Sequence, residues 1–459
     1  MVNRLVVAAP ASGSGKTTVA TGLMAALRRS GSRVAPFKVG PDYIDAGYHG
    51  IATGLPGRNL DTVMVGEQKV ASLFVHGSRG TDIAVVEGVM GLFDGRVDTE
   101  GVGSTAHVAK LLAAPVLFVV DARGQSRSLA ALLHGFRGYD PTVRIGGVIL
   151  NQVGSERHEQ VLRSACAEVG LEVMGVLPRD PAFSLPSRHL GLITAAEHGP
   201  EALAAVDAIA AAVAKHVDLD AVRRLAAVAP AMAVPAWSAQ AEVEEPVTGS
   251  PVVAVAGGAA FTFGYAEHVE LLRAAGADVV TVDPLRDEDL PEGTAGLVLP
   301  GGFPEQHAAE LAENAPLRAA VAALARTGAP VHAECGGLLY LARTLDGVPM
   351  CGVLDADGSM SARLTLGYRD AVAPADSVLA RAGQRITGHE FHRTVLTPSS
   401  GAQPAWQWRG HDRRPVAEGF VVGGVHASYL HTHPASSPDS VVRFVRACAT
   451  AEMPYEATR

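Results

Sequence analysis

The chain lacks any run of about 20 apolar residues, the length a bilayer demands, although 48% of its 459 residues are hydrophobic. Its opening apolar run, Leu5 to Ala9, is too short for the apolar region of a signal peptide. It reads as a first strand, and a cytoplasmic location with no membrane contact is expected. Cysteine is scarce: Cys166, Cys335, Cys351 and Cys448 are scattered without metal-site spacing, which fits a reducing compartment and no disulfides. No block of Lys or Arg is present and the net charge is −9, so nucleic-acid binding is not expected. Internal repeats are absent as well. What remains is an ordinary globular composition on a chain longer than one hydrophobic core normally serves.

The pattern of apolar runs predicts an α/β protein with two doubly wound domains. Up to about residue 225, short Val- and Ile-rich runs (4–9, 33–38, 82–87, 115–121, 145–151 and 172–177) alternate with helical patterns. The runs lack two-residue alternation, as strands buried on both faces do. Val19, Leu23 and Leu27 repeat every four residues, which predicts a helix with one apolar stripe. Residues 226–250 carry Pro230, Pro235 and Pro246 with Glu242, Glu244 and Glu245 and read as a solvated linker. A second strand series (252–256, 279–282, 296–299, 330–333) opens a domain over residues 251–459.

Between the first run and the first helix lies Ser12-Gly13-Ser14-Gly15-Lys16-Thr17-Thr18. Small residues there let backbone N–H groups point at phosphate oxygens, aided by the positive end of the helix. Lys16 would reach the outer phosphates of a nucleoside triphosphate and Thr17 would ligate Mg²⁺. Pro10 stands where the common loop has its first glycine, so the loop is a variant. Lys38, Asp42 and Asp45 follow the second run, and Glu87 ends the third, with Asp94 seven residues on. That sheet edge is where parallel sheets bind ligands, and carboxylates there suit a hard cation beside phosphate.

Near the other end, Ala333-Glu334-Cys335-Gly336-Gly337 places a cysteine on a strand-to-helix turn, the form of a nucleophile elbow. The Gly336 N–H can face a developing oxyanion, with a second donor from the loop carrying Gly301 and Gly302. A thiol of ordinary pKa needs a base. His431 is the best placed and His433 the second choice, both in Ser428-Tyr429-Leu430-His431-Thr432-His433. Gly388-His389-Glu390-Phe391-His392 suggests a metal, but no further ligands are evident and a structural or glutamine-pocket role fits better.

Together these motifs resemble a known family. Cys335 with its elbow, Gly301-Gly302 and His431 resemble the class I glutamine amidotransferases, and the front half resembles dethiobiotin-synthetase-like P-loop proteins. In this order they resemble the cobyrinic/hydrogenobyrinic acid a,c-diamide synthases of cobalamin biosynthesis. The most specific pieces are the segments 38–49, 59–61, 87–95, 104–107 and 388–392.

The resemblance implies ammonia release from glutamine at Cys335 and ATP-dependent phosphorylation of two acetate carboxylates, a and c, of a corrin ring (hydrogenobyrinate or cobyrinate). Mg²⁺ would be held by Thr17, Asp42 and Glu87, with Asp45 and Asp94 shaping the carboxylate site. Gly13, Ser14, Gly15, Lys16, Thr17, Thr18 and Lys38 would bind nucleotide. Asn151, Arg188 and His189 sit in loops that would meet nucleotide or substrate. A homodimer is left open. Where class I amidotransferases usually carry an acid two residues after the histidine, this chain has His433, so the site is a Cys–His dyad or takes its orientation from elsewhere. Cobyric acid synthase and nickel-sirohydrochlorin diamide synthase are the alternatives, and a ParA/MinD-like nucleotide switch is the reading from a different class.

Overall fold

A computed structural model describes residues 2–97, 99–180, 187–188, 191–192, 199–410 and 412–451. The chain forms two compact units, Met1–Trp237 and Ser238–Arg459. No helix among the described residues is long and apolar enough to cross a membrane.

The first unit is built on seven parallel strands: β1 (Asn3–Ala8), β2 (Val34–Val39), β3 (Arg58–Leu60), β4 (Ile83–Glu87), β5 (Val116–Asp121), β6 (Ile145–Val153) and β7 (Val173–Pro178). Their spatial order is β3-β2-β4-β1-β5-β6-β7. Six of them answer to the six apolar runs. The seventh, β3, is a three-residue edge strand too short to show a pattern. A two-residue pair, β8 (Ser187–Arg188) with β9 (Gly191–Leu192), lies outside this sheet; His189 lies outside the described residues.

Helix α1 (Lys16–Arg29) departs from the single-stripe expectation. It is buried almost all round, from Val19 to Leu27. The reason lies far along the chain. Of the helices α2 (Tyr43–Thr53), α3 (Glu67–Gly77), α4 (Thr105–Leu111), α5 (Ser128–Tyr139), α6 (Glu156–Glu168), α7 (Gly199–His216) and α8 (Leu219–Ala227), α7 packs on the face of α1 that faces away from the sheet. A Cβ at Gly22 would come within 2.6 Å of Ile209. A helix covered on every side must be apolar on every side.

The Pro-rich stretch 226–250 is mostly exposed but is anchored at two points. Trp237 is buried, its N–H donates to the Ser72 carbonyl at 2.9 Å, and its ring meets His76 edge-on at 5.0 Å. Arg4 fastens the same stretch by donating to the Pro230 carbonyl. A short helix, α9 (Ala239–Glu242), follows.

The second unit contains a parallel sheet of β10 (Val252–Ala256), β11 (Asp278–Val282), β12 (Thr294–Leu299), β13 (Val331–Glu334) and β21 (Val425–Ser428), edged by the antiparallel β20 (Phe420–Val422). Helices α10 (Ala266–Ala274), α11 (Ala308–Glu313), α12 (Ala315–Arg326), α13 (Gly336–Leu341) and α14 (Pro438–Thr450) accompany it. Its core gathers Leu297, Leu299, Val331, Ala333 and Tyr340 with the side chains of α12 and α13.

A further sheet joins β14 (Thr344–Leu345), β15 (Val348–Pro349), β16 (Asp357–Val372), β17 (Arg385–Thr397), β18 (Trp406–Arg409) and β19 (Pro415–Glu418). The apolar-run reading does not reach this addition to the doubly wound plan. Its long strand β16 is mostly half-exposed on both faces, and where burial alternates in β17, from Glu390 to Thr397, the inward residues Glu390, His392 and Thr394 are polar, so no apolar alternation marks the strand.

Candidate active site

In the first unit the phosphate loop bends through two left-handed glycines, Gly13 (φ 78°) and Gly15 (φ 92°), before α1 begins. A Cβ on Gly15 would lie 2.2 Å from Asn151 Nδ2. Asn151 itself donates to the Ser14 carbonyl at 3.1 Å, so it braces the loop from β6. Ser14 Oγ and Lys16 Nζ both donate to the Ala11 carbonyl, at 2.9 and 3.1 Å. Lys16 is buried, and burial together with neighbouring Lys38 lowers its pKa to about 8. Thr18 occupies the first turn of α1.

Beside the loop a buried charge cluster forms across strand ends. Lys38 and Glu87 are register partners on β2 and β4, and Lys38 Nζ donates to Glu87 at 2.9 Å, Asp45 at 2.5 Å and the Gly88 carbonyl at 3.2 Å. Thr17 Oγ1 donates to Glu87 at 2.7 Å, and His49 Nε2 lies 2.7 Å from its other oxygen. Burial pushes the Glu87 carboxyl up, but Lys38 and His49 hold it well below the ordinary range. For Lys38, burial acts downward and is overcome by Asp45 and Glu87, so its pKa is raised. Burial and the neighbouring Asp42 and Glu87 raise Asp45. A buried pair of this kind costs about 3–5 kcal/mol to break from one side, so Lys38 is committed to the carboxylates rather than free for a nucleotide.

Asp42 has a different place from the one expected of a metal ligand. Its Oδ1 accepts from Ile44 and Asp45 N–H as the N-cap of α2. No group of three or more His, Cys, Asp or Glu side chains arranged to hold a metal ion occurs among the described residues. The oxygens that do converge belong to Thr17, Asp45 and Glu87, and hydroxyl plus carboxylate oxygens suit Mg²⁺. Asp94 accepts from Gly91 N–H at 2.9 Å and sits close enough to Lys16 to favour its charge. Thr105 Oγ1, from α4, pins the segment after β4 by bonding both N–H and carbonyl of Val89.

In the second unit Cys335 follows β13 with φ 47° and ψ −96°, a strained conformation for a side-chain-bearing residue. Its N–H donates to the Ser428 carbonyl at 2.7 Å, while Gly337 N–H donates to Pro300 at 3.1 Å. Glycines let three strand ends meet here. A Cβ on Gly337 would lie 2.1 Å from the Leu299 carbonyl, one on Gly336 would lie 2.9 Å from Gly302 N, and one on Gly301 would lie 2.3 Å from His431 Cε1. The expected Cys335, Gly336, Gly301, Gly302 and His431 are thus brought together.

Cys335 is 3% exposed, and burial, with Glu305 and Glu334 adding to it, pushes its thiol well above the ordinary value. It rests as a neutral thiol and depends on a base. The second-choice histidine, His433, does other work: its Nδ1 accepts from Ala435 N–H at 3.2 Å and its ring lies 4.2 Å from Tyr265.

Glu334, which the motif reading passed over, stands next to the elbow. Its Oε1 accepts from Thr432 N–H at 3.1 Å and Thr432 Oγ1 at 2.8 Å, and its Oε2 lies 3.6 Å from His431 Nδ1. The 388–392 segment makes packing and hydrogen-bond contacts next to the elbow. His389 and His431 exchange backbone hydrogen bonds at 2.9 Å, Glu390 accepts from Arg369 at 2.6 Å, and His392 stacks on Tyr429 at 3.8 Å.

This is a glutamine-amidotransferase-type cysteine site joined to a P-loop nucleotide domain. Residues 252–439 match the CobB/CobQ-like glutamine amidotransferase domain, and residues 5–193 the CobQ/CobB/MinD/ParA nucleotide binding domain. The chain is 59% identical to the hydrogenobyrinate a,c-diamide synthase of Streptomyces coelicolor over 98% of each chain. It is 58% identical to that of Mycobacterium bovis over 98% of this chain and 99% of the relative. The cobyrinate a,c-diamide synthase of Gloeobacter violaceus is 43% identical over 97% of this chain and 96% of its own. The chain belongs to the cobyrinate/hydrogenobyrinate a,c-diamide synthase family.

Two predictions follow from the packing. Gly301→Ala drives a methyl into His431; glutamine-dependent turnover is expected to fall at least about tenfold, with circular dichroism and thermal melting close to the parent. Glu418 is buried and accepts from Ser428 Oγ and Tyr429 N–H; burial raises its pKa from 4.5 to about 8. The folded state therefore keeps a proton that the unfolded chain releases, and stability falls as pH rises between those values. Glu418→Gln is expected to stabilise the second unit by about 2 kcal/mol above pH 8, with no gain below pH 4, in urea melts across that range.

Proposed function

We propose that this chain is a glutamine-hydrolysing, ATP-dependent amidoligase that converts the a and c acetates of hydrogenobyrinate to amides. Residues 1–225 would be the synthetase domain and 251–459 the glutaminase domain. The observation that carries the reading is the pairing of the Lys16–Thr17–Glu87 phosphate site with the Cys335–His431–Gly301 elbow. Identity of 58–59% to hydrogenobyrinate enzymes against 43% to a cobyrinate enzyme favours the metal-free ring.

At the elbow, Cys335 gives its proton to His431 as its sulfur bonds to the side-chain carbonyl carbon of glutamine. The Gly336 and Gly302 N–H groups are the candidate donors to the oxyanion. His431 returns the proton to the departing nitrogen, ammonia leaves, and water hydrolyses the thioester to glutamate and free thiol.

In the first unit a ring carboxylate oxygen attacks the γ-phosphorus of ATP, ADP leaves, and an acyl phosphate results. Ammonia then bonds to the acyl carbon, phosphate departs with the C–O electrons, and the surplus proton is lost. Activation is needed because a carboxylate oxygen is a poor leaving group and phosphate a good one. Lys16 would bind the outer phosphates, and Asp45, beside it, would face the carboxylate end. Thr17, Asp45 and Glu87 would hold Mg²⁺, whose charge offsets that of the phosphates.

The test supplies glutamine, Mg-ATP and, in separate arms, hydrogenobyrinate, cobyrinate or nickel sirohydrochlorin, with mass spectrometry of the ring and phosphate release as readouts. Two amides on hydrogenobyrinate are expected, and no amide on any ring would overturn the proposal. Cys335→Ala is expected to abolish glutamine use while synthesis from ammonium salts persists.

A further inference from the structure

Glu334 is a buried carboxylate beside the elbow that the chemistry above does not use. It is the last residue of β13, in register with Ser428 of β21, so the strand pairing that places Cys335 also aims Glu334 at the segment after β21. One oxygen is held by Thr432; the other is left facing His431 Nδ1 at 3.6 Å. Of the other acids that act on Cys335, Glu390 is bonded to Arg369, and Glu305 lies in the loop after β12.

Several histidines neighbour the carboxylate: His332 on β13 at 3.4 Å, His431, and, further off, His426 on β21, His268 on α10 and His433. Burial first, and then neighbouring His332, lower His268 to about 4 and His426 to about 3, so neither brings a positive charge at neutral pH. Paired with His431 through the backbone stands His389, likewise kept neutral by burial. Against burial, His332 and His431 hold the Glu334 carboxyl well below the ordinary range.

We propose that Glu334 is the positioning residue of the glutaminase: it fixes His431 through Nδ1, turns the other ring nitrogen to Cys335, and stabilises the imidazolium formed when the thiol gives up its proton. The acid of a Cys–His–acid site then comes from the residue before the nucleophile, not from two residues beyond the histidine. The 3.6 Å separation is an ion-pair distance in a resting neutral pair, and such contacts tighten when charge develops. The proposal rests on the reading of Cys335 as the glutaminase nucleophile.

The test uses the full-length protein with hydrogenobyrinate and Mg-ATP, comparing glutamine with ammonium as nitrogen source. In Glu334→Gln the side-chain carbonyl can still accept both bonds from Thr432, so the local frame survives and only the charge is lost. Glutamine-dependent kcat is expected to fall about 100-fold, with KM for glutamine within about threefold and ammonium-dependent synthesis unchanged. Thr432→Val, which removes one donor and keeps the charge, is expected to lose less than about fivefold.

The proposal is overturned if Glu334→Gln keeps near-parental kcat, if only KM rises, if ammonium-dependent synthesis falls equally, or if Thr432→Val is as damaging. Cys335→Ala run alongside separates the two levels. Glutamine use surviving in that variant sinks the nucleophile itself, whereas its loss there with an active Glu334→Gln sinks only the role of Glu334.

Discussion

A thiol buried at 3% exposure can meet its imidazole only because three strand ends approach more closely than side chains allow. The loop after β12, the turn after β13 and the segment after β21 touch through Gly301, Gly302, Gly336 and Gly337, each of which would collide with a neighbour if it carried a Cβ. Cys335 itself adopts φ 47°, and its N–H and that of Gly337 are tied to Ser428 and Pro300. Two parallel strand pairings, β12 with β13 and β13 with β21, hold these ends level. The glutaminase chemistry is a consequence of that register, since a slip of one residue would turn Cys335 and Glu334 to opposite faces.

The parts legible in the sequence are those whose residues are neighbours along the chain. Gly13 to Thr18 announce a phosphate loop, and Cys335 to Gly337 an elbow, because each is a single strand–turn–helix unit with its own local geometry. What escaped depends on distant pairing. The contact between Glu334 and Thr432 spans 98 residues, and no spacing rule connects them. Asp42 is expected at the metal from its place after the second strand and from the family resemblance, yet α2 begins immediately after it and takes its Oδ1 as a cap, leaving Asp45, three residues on, against Thr17. Helix α1 looked amphipathic because the α7 surface that covers it is encoded almost 200 residues later.

The two sites treat buried charge in opposite ways. Around Lys38 the ammonium and the Glu87 carboxylate are held in their charged forms at rest. One ammonium serves Asp45 and Glu87, and Thr17 and His49 complete the hydrogen bonds of Glu87. The Lys38–Glu87 pair tolerates burial because each of the two ions has the other as its partner, and it is charged before any nucleotide arrives. Phosphoryl transfer needs that, because its transition state gathers negative charge on oxygens that are already anionic in the ground state.

At Cys335 the surroundings keep the thiol protonated until needed, and His268, His389 and His426 are kept neutral by burial. Charge appears there only when a proton moves from sulfur to imidazole, and it must be met where it forms. Beside the ring is a carboxylate that burial alone would neutralise and that His332 and His431 keep ionised. A neutral resting thiol also limits reaction with adventitious electrophiles, since the thiolate is the nucleophile. The same rule, that a buried charge persists only beside its complement, thus gives a standing charge cluster in one unit and a transient ion pair in the other.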